Sequence, residues 1–135
     1  MSFGLEFLPE PAVWQEIGGA TVLCRPALLR FGDLGRRLDV PLGAWHEEEY
    51  ELQWREGIGC VVLSAQSSCL VVSALEPAWF PLRALDGARV AMQDRSVGMP
   101  GDLDDLYARA AATSDGPPAA TVTKAELVAW LEREL

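Results

Sequence analysis

The chain has 135 residues, of which 50% are apolar and 23% are charged, and its formal net charge is −9. This length predicts one compact domain over residues 1–135, and the composition excludes a disordered, collagen-like or low-complexity protein. No stretch of about 18 residues lacks charged or helix-breaking residues, so we expect no membrane span. Because acidic residues outnumber basic ones by 20 to 11 and no basic patch is apparent, we expect no nucleic-acid partner.

The first residues predict a cytoplasmic protein, and the cysteines predict a packing role. No Lys or Arg precedes Arg25, and Glu6 and Glu10 come early, whereas a signal peptide begins with basic residues followed by an apolar run. The odd number of cysteines has no metal-ligand spacing, so we expect small buried apolar residues at Cys24, Cys60 and Cys69.

The beginning of the chain predicts a hairpin behind an irregular segment. Residues 1–11 contain two prolines and no periodicity, so we expect a lead-in segment there. Ala12–Ile17 and Ala20–Cys24 are predicted strands. Gly18-Gly19 between them suits the positive φ angles of a two-residue hairpin turn.

The next segment predicts a short helix and a loop. Pro26 fits the first position of a helix over residues 27–31, which Gly32 would end. Residues 33–43 are polar, contain glycines and a proline, and show no clear period. We therefore expect a loop over residues 33–43.

Residues 45–54 fit both a helix and a strand. The glutamates favour a helix, whereas Tyr50, Leu52 and Trp54 alternate with polar residues as in a half-buried strand. We predict a short helical turn over residues 46–49, followed by a strand that begins at Tyr50.

The middle of the chain predicts the centre of a sheet. Ile58–Ser64 and Cys69–Leu75 are apolar on both faces, which is typical of strands that are covered on both sides. They predict a central hairpin at about residues 58–75. Ala78–Leu82, which contains a proline, and Arg89–Gln93 are predicted to be edge or extended segments.

Two helices are predicted near the C-terminus. Asp102 caps the first, over residues 102–112, and a capping box of Thr123 and Glu126 opens the second, over residues 124–135. The predicted fold class is therefore α+β, with a mostly antiparallel β-sheet that is covered by two C-terminal helices.

The sequence offers little for catalysis. His46 is the sole histidine, it has no metal-ligand spacing with neighbouring residues, and no nucleophile elbow is present. The glycines at 57 and 59 lack the third glycine of a dinucleotide-binding loop and lead into a predicted strand. We predict no catalytic residue, no metal and no cofactor, although paired carboxylates leave an enzyme as the weakest alternative.

Acidic residues cluster at positions 47–51 and 102–105. A solvated face, or carboxylates beside a helix N-terminus, would explain both clusters. The first cluster could instead be a patch that attracts a basic partner, because aromatic residues flank it as they do in many interfaces. On this hypothesis the partner-binding residues are Trp45, Glu47, Glu48, Glu49, Glu51 and Trp54.

Several short motifs follow one another between residues 12 and 95, about two-thirds of the chain. They are Trp14, Ile17-Gly18-Gly19, Pro26, Leu28-Leu29, Glu49-Tyr50, the apolar runs 58–63 and 70–75, Glu76-Pro77, Trp79 and Pro81. Their order resembles the bacterial immunity protein family number twenty-one, from polymorphic toxin systems. The resemblance implies a bacterial cytosolic protein that neutralises a co-encoded toxin by binding it, and it supplies no catalytic residue.

The first functional hypothesis is therefore a cytoplasmic immunity protein that binds a cognate protein toxin stoichiometrically. Because many nuclease toxins are basic, we expect a basic toxin to suit this acidic chain. The alternative is a small-molecule-binding or regulatory α+β module that has no toxin partner.

Overall fold

The computed structural model describes residues 2–75, 78–97, 103–112 and 118–134. These residues form nine strands and three helices. In chain order the elements are β1 (Ser2–Phe7), β2 (Val13–Ile17), β3 (Ala20–Gly32), β4 (Leu34–Pro41), α1 (Glu47–Leu63), β5 (Ser68–Ser73), β6 (Ala78–Ala84), β7 (Arg89–Met92), β8 (Ser96–Val97), α2 (Leu103–Ala112), β9 (Ala120–Thr123) and α3 (Lys124–Glu134). Within this part of the chain, no helix has both the length and the apolar character that crossing a bilayer requires.

The first sheet is built around the long strand β3. Cys24 of β3 pairs with Val13 of β2 and with Pro41 of β4. Ala27, three residues further on, pairs with β1 and again with β4. A strand residue has one neighbour on each side, so β4 occupies one edge of β3 while β1 and β2 follow each other along the other edge.

The second sheet repeats this plan around β6. Leu82 of β6 pairs with Ser68 of β5 and with Met92 of β7, whereas the start of β6 pairs with β8. Strands β7 and β8 therefore follow each other along one edge of β6, and β9 lies beyond β7. All of these pairs are antiparallel, which confirms the predicted α+β class. The prediction of edge segments at 78–82 and 89–93 is wrong, because both strands have neighbours on two sides.

A proline is tolerated in each central strand because it lies opposite the break between two strands that follow each other along the same side. The Pro26 carbonyl accepts a hydrogen bond from the Leu8 N–H at 2.9 Å, in the break between β1 and β2. The Pro81 carbonyl accepts one from the Gln93 N–H at 2.9 Å, in the break between β7 and β8. In an antiparallel strand the N–H of a residue points to the same side as its C=O, so each missing N–H faces a gap in the pairing.

Three predictions for the first 43 residues are wrong. The predicted lead-in over 1–11 contains β1, whose Phe3 and Leu5 alternate with less buried residues and are themselves buried. The predicted helix over 27–31 is part of β3, and the predicted loop over 33–43 contains β4. In β4, Leu38 and Val40 are buried and alternate with exposed residues, as in a strand with one covered face. The exposed or half-buried arginines between β3 and Leu38 obscure this alternation in the sequence.

The predicted hairpin around Gly18-Gly19 is confirmed. These two glycines have φ angles of 60° and 82°, and Ile17 pairs with Ala20 across them. The return strand is longer than predicted and continues to Gly32, where a φ of 63° begins the tight turn into β4. Gly32 also approaches the second sheet, because a Cβ there would lie 2.6 Å from the Thr121 carbonyl oxygen.

Helix α1 replaces the predicted strand from Tyr50 and the first arm of the hairpin predicted at 58–75. Tyr50, Trp54, Ile58 and Val61 recur at helical spacing and are buried. Only the second arm is a strand, β5. The apolar residues of 58–63 belong to a helix packed on the sheet, so the central hairpin prediction is wrong.

The two C-terminal helices are confirmed as α2 and α3. Leu106 and Ala110 of α2 and Leu127 and Trp130 of α3 are buried, as the predicted apolar faces require. The Thr123 hydroxyl accepts a hydrogen bond from the Glu126 N–H at 3.2 Å, as in a capping box. Asp102, the predicted cap of the first helix, lies outside the described residues.

Side chains of α1 cover the edge of β5 that faces away from β6. The Gln53 amide donates to the Cys69 carbonyl at 2.8 Å and accepts from the Val71 N–H at 2.7 Å. The Trp54 indole donates to the Val71 carbonyl at 2.7 Å, and the Ser68 hydroxyl donates to the Gly57 carbonyl at 2.6 Å. The bonds of Gln53 and Trp54 replace a missing neighbouring strand, and together with the Ser68 bond they fix the rotation of α1 about its axis.

Candidate partner-binding surface

The predicted acidic cluster lies at the start of α1. We call Glu47, Glu48, Glu49 and Glu51 the acidic turn. Carboxylates at this end of a helix interact favourably with its unpaired N–H groups. Glu49 also makes a direct contact of this kind, because its carboxylate accepts a hydrogen bond from the His46 backbone N–H at 3.1 Å. Part of this negative charge therefore stabilises the start of the helix.

Glu47 joins the acidic turn to the first sheet. Its carboxylate lies 2.7 Å from Nη1 of Arg25 on β3. The same guanidinium donates to the Leu8 carbonyl at 2.9 Å and lies 5.7 Å from the centre of the Phe7 ring. The charge of Glu47 is thus matched by a fixed cation, so Glu47 positions α1 and contributes little outward negative field.

A shallow depression of about 370 Å³ lies beside the acidic turn. Leu42, His46, Glu47, Glu48 and Glu51 line it. Glu48 is exposed and Glu51 is half-buried. Such a depression suits one basic side chain of another protein, which would be held by carboxylates and packed against Leu42. In the described part of the chain, no group of three or more His, Cys, Asp or Glu residues could hold a metal ion.

The two tryptophans predicted to flank this patch do not lie on the surface as expected. Trp54 is only 1% exposed and belongs to the core, where it packs on Phe7 with ring centres 5.1 Å apart. Its inclusion among the partner-binding residues is therefore wrong. Trp45 is half-buried and packs edge-on against Tyr50 at 5.2 Å. The helical period, which directs position 54 inward, was the signal that would have excluded Trp54.

Tyr50 ties the acidic end of α1 to both sheets. Its hydroxyl donates to the Pro41 carbonyl at 2.7 Å and accepts from the Ala74 N–H at 3.0 Å. Burial raises the pKa of Tyr50 from 10.0 to about 12. Burial also raises the pKa of the Cys69 thiol from 9.0 to about 12. Both groups are therefore held in their neutral forms by the fold.

The raised pKa of Tyr50 predicts loss of stability in alkali. Because the folded pKa lies above the unfolded value of 10.0, the stabilisation is complete below pH 10 and is lost as the pH rises through 12. The free energy of unfolding, measured in urea, should decline by up to about 1.4 kcal/mol per pH unit from this group. Tyr50→Phe should have a shallower decline above pH 10. Identical slopes for the two proteins would contradict the assignment.

An exposed aromatic residue lies elsewhere, on β2. Trp14 is 68% exposed, and its neighbour Val13 is 50% exposed. In the sequence, Trp14 stands out only as one of the motifs that resemble an immunity family. Its exposure could have been predicted from its position beside a two-residue turn, in a strand that is too short and too polar to be covered on both faces.

The cysteines offer no evident nucleophile. All three cysteines are free thiols. Cys24 and Cys69 are buried, which agrees with their predicted packing role, and Cys60 is half-buried. Burial raises the pKa of each thiol. A raised pKa keeps a thiol protonated at neutral pH, whereas a catalytic cysteine requires a lowered one.

Two antiparallel sheets with three helices in the described residues define the class of the protein as α+β. No known family profile and no curated protein sequence matches the chain. Among solved structures, the chain is similar to a chain of the "CdiA-CT/CdiI toxin and immunity complex from Enterobacter cloacae". The TM-score is 0.71 at 18% sequence identity, and the match covers 97% of each chain. At this identity, the likeness establishes a shared fold over nearly the whole length.

Proposed function

We propose that this chain is a cytoplasmic immunity protein of a bacterial toxin–immunity system. It binds a cognate protein toxin stoichiometrically and blocks it without catalysing a reaction. The observation that supports this proposal best is the fold likeness, across 97% of both chains, to a member of a toxin–immunity complex. The motif order that resembles an immunity family points to the same function independently of the structure.

The charge of the chain indicates the chemistry of the toxin. With a net charge of −9, the chain attracts a basic protein and repels another acidic one, and such attraction accelerates association. We propose that the toxin is basic and that it meets the acidic turn, with Trp45 supporting that turn from behind. Within it, Glu48 is exposed, whereas Glu47 is paired with Arg25 and Glu49 accepts a hydrogen bond from the His46 N–H.

Growth of bacteria tests the proposal directly. The candidate toxin is the protein encoded beside this chain, and its expression alone should stop growth. Co-expression of the chain should restore growth, and the two purified proteins should form a complex of defined stoichiometry. Growth arrest caused by this chain alone, or failure to bind the neighbouring protein, would contradict the proposal. The second result would favour the small-molecule-binding or regulatory alternative.

Charge reversal at Glu48 tests the role of the acidic turn. Glu48→Lys should slow association with the toxin by about tenfold at low salt and reduce its dependence on salt concentration, because long-range attraction is weakened. Stopped-flow or surface-based kinetics at several salt concentrations measures both quantities.

Asp33→Lys provides the matched control for this measurement. Asp33 is exposed in the turn at the far end of β3, about 26 Å along the strand from Arg25 at the usual rise per residue. The same change in net charge there should affect association much less. Equal effects of the two variants would show that only total charge matters and that the acidic turn has no special part.

A further inference from the structure

The hairpin of β2 and β3 carries the largest exposed aromatic side chain among the described residues. We call Val13–Ile17 together with Ala20–Leu23 the arm. Trp14 on the arm is 68% exposed. Tryptophan is the residue type most enriched at the energetic centres of protein interfaces, where its large apolar surface becomes buried. The exposed side chain of Trp14 is therefore available to become buried against a partner.

The backbone of β2 offers hydrogen-bonding groups on its outer edge. The Leu23 carbonyl accepts from the Leu42 N–H at 2.8 Å, on the side of β3 away from β2. Leu23 lies opposite Trp14. Because the backbone groups of Leu23 point away from β2, the backbones of Leu23 and Trp14 do not hydrogen-bond to each other. The N–H and C=O groups of Trp14 therefore point away from β3, as do those of Glu16 by alternation. Within the described residues, β2 pairs with β3 alone.

The outer edges of β5 and β2 differ in how they are covered. On β5, the side chains of Gln53 and Trp54 occupy the outward N–H and C=O groups. Such covering prevents unwanted pairing with another chain. On β2, no side chain in the described part of the chain covers the outward groups of Trp14 and Glu16 in this way, and neither a lysine nor a proline interrupts Val13–Ile17. The edge of β2 thus retains the features of a pairing surface.

The arm and the acidic turn lie on the same side of the first sheet. Trp14 and Leu23 are cross-strand partners and share a face. Arg25, two residues beyond Leu23, points to that same face, and there it bonds to Glu47 at 2.7 Å. Leu42 adds a second connection, because it bonds to Leu23 and lines the depression beside the acidic turn. One partner could therefore contact both features together.

Charge identifies the kind of partner. The only charged residue of the arm is Glu16, and the whole chain has a net charge of −9. Two copies of the chain meeting edge to edge would bring like charges together, which is unfavourable. A basic protein meets no such repulsion, and a basic side chain on it could pair with Glu16 or with Glu48.

We infer that the toxin adds an extended segment to the outer edge of β2, burying Trp14 and extending the first sheet by one strand. This inference rests on the proposed function and assigns it a binding mode. Strand addition supplies affinity through backbone hydrogen bonds, and Trp14 supplies selectivity for an apolar residue of the added segment. The acidic turn then steers the approach of the basic toxin, while the arm holds it.

Hydrogen exchange measured by NMR on the isotopically labelled chain tests strand addition. In the free protein, the backbone amides of Trp14 and Glu16 should exchange quickly, while those of Gln15 and Ile17, which face β3, should exchange slowly. Adding the toxin should slow the exchange of Trp14 and Glu16 at least tenfold, on the order expected for amides that become hydrogen-bonded. Unchanged exchange at these two amides in the complex would overturn the inference.

Trp14→Ala tests the side chain. We expect the toxin to dissociate roughly 100-fold faster, as for truncation of a central interface residue, with the salt dependence of association unchanged. Leu63→Ala is the matched control, because Leu63 is 80% exposed at the end of α1, and it should leave dissociation unchanged. Circular dichroism of both variants should match that of the parent protein.

The outcomes separate this inference from the proposed function. A parent chain that restores growth and binds the toxin, together with a Trp14→Ala variant that binds within threefold of it, would overturn the inference alone. Slow exchange at Trp14 and Glu16 without toxin, accompanied by a doubled molecular mass, would replace the toxin with a second copy and also overturn it. A parent chain that binds no toxin would overturn both proposals.

Discussion

Gln53→Leu should lower the free energy of unfolding by about 3 kcal/mol. The substitution places an apolar side chain of similar volume in the core and removes both hydrogen bonds to β5. The Cys69 carbonyl and the Val71 N–H, which Gln53 holds at 2.8 and 2.7 Å, would then be buried without these partners. Each such loss costs about 1–3 kcal/mol. Equilibrium unfolding in urea measures the difference.

Two further variants make this prediction specific. Gln66→Leu alters an exposed glutamine just beyond the same helix and should change stability by less than about 0.5 kcal/mol. Gln53→Glu keeps an acceptor for Val71, but an ionised carboxylate would face the Cys69 carbonyl. This variant should therefore be more stable at pH 4 than at pH 7 relative to the parent protein, because a protonated carboxyl can donate to that carbonyl. A Gln53→Leu variant as stable as the parent would show that α1 does not depend on these bonds.

The sequence predicted features that depend on neighbouring residues and missed those that depend on distant ones. The turn at Gly18-Gly19 and the helices α2 and α3 follow from local rules for glycine φ angles, capping and helical spacing. The prolines at positions 26 and 81 misled the prediction. Local rules place Pro26 at a helix start and Pro81 on an edge, whereas both lie in central strands opposite breaks in the pairing. Only the full strand order reveals such breaks.

Helix α1 shows why composition alone is a weak guide. Its second half is rich in valine and isoleucine, which favour strands, and its glycines at 57 and 59 disfavour a helix. Packing against β5 outweighs both preferences, since Gly57 lies against the Cys69 backbone and Ile58 is fully buried. A helical period was nevertheless present from Tyr50 through Trp54 to Ile58.

The candidate site could be predicted from the sequence only in part, because contacts between distant residues decide the rest. Glu47, Glu48 and Glu49 are predicted in a helical turn, as they are in α1, whereas Glu51 falls in the strand predicted from Tyr50 and lies in α1 as well. Their different surroundings are not visible, because the partner of Glu47 is Arg25, 22 residues away. The burial of Trp54 follows from the sequence only when a helix, instead of the predicted strand, is assigned to residues 50–54, and the exposure of Trp14 follows only from the position of β2 beside a two-residue turn.

Gly57→Ala and Gly59→Ala should change stability in opposite directions, although the same methyl group is added to the same helix. A Cβ at position 57 would overlap the backbone carbonyl oxygen of Cys69, whereas a Cβ at position 59 meets no atom within 4 Å. Alanine favours a helix over glycine by about 1 kcal/mol. Gly59→Ala should therefore raise the free energy of unfolding by about 0.5–1 kcal/mol.

At position 57 the overlap outweighs this gain. The Cys69 oxygen belongs to β5 and cannot rotate away, so α1 must move outward and weaken the 2.6 Å bond from the Ser68 hydroxyl to the Gly57 carbonyl. Overpacking of this kind costs about 1–3 kcal/mol, and losing a buried hydrogen bond adds about 1 kcal/mol. We expect Gly57→Ala to lower the free energy of unfolding by about 2 kcal/mol after the helical gain is subtracted. Urea unfolding of the two variants side by side measures both signs, and a stabilised Gly57→Ala would mean that α1 does not lie against β5 as described.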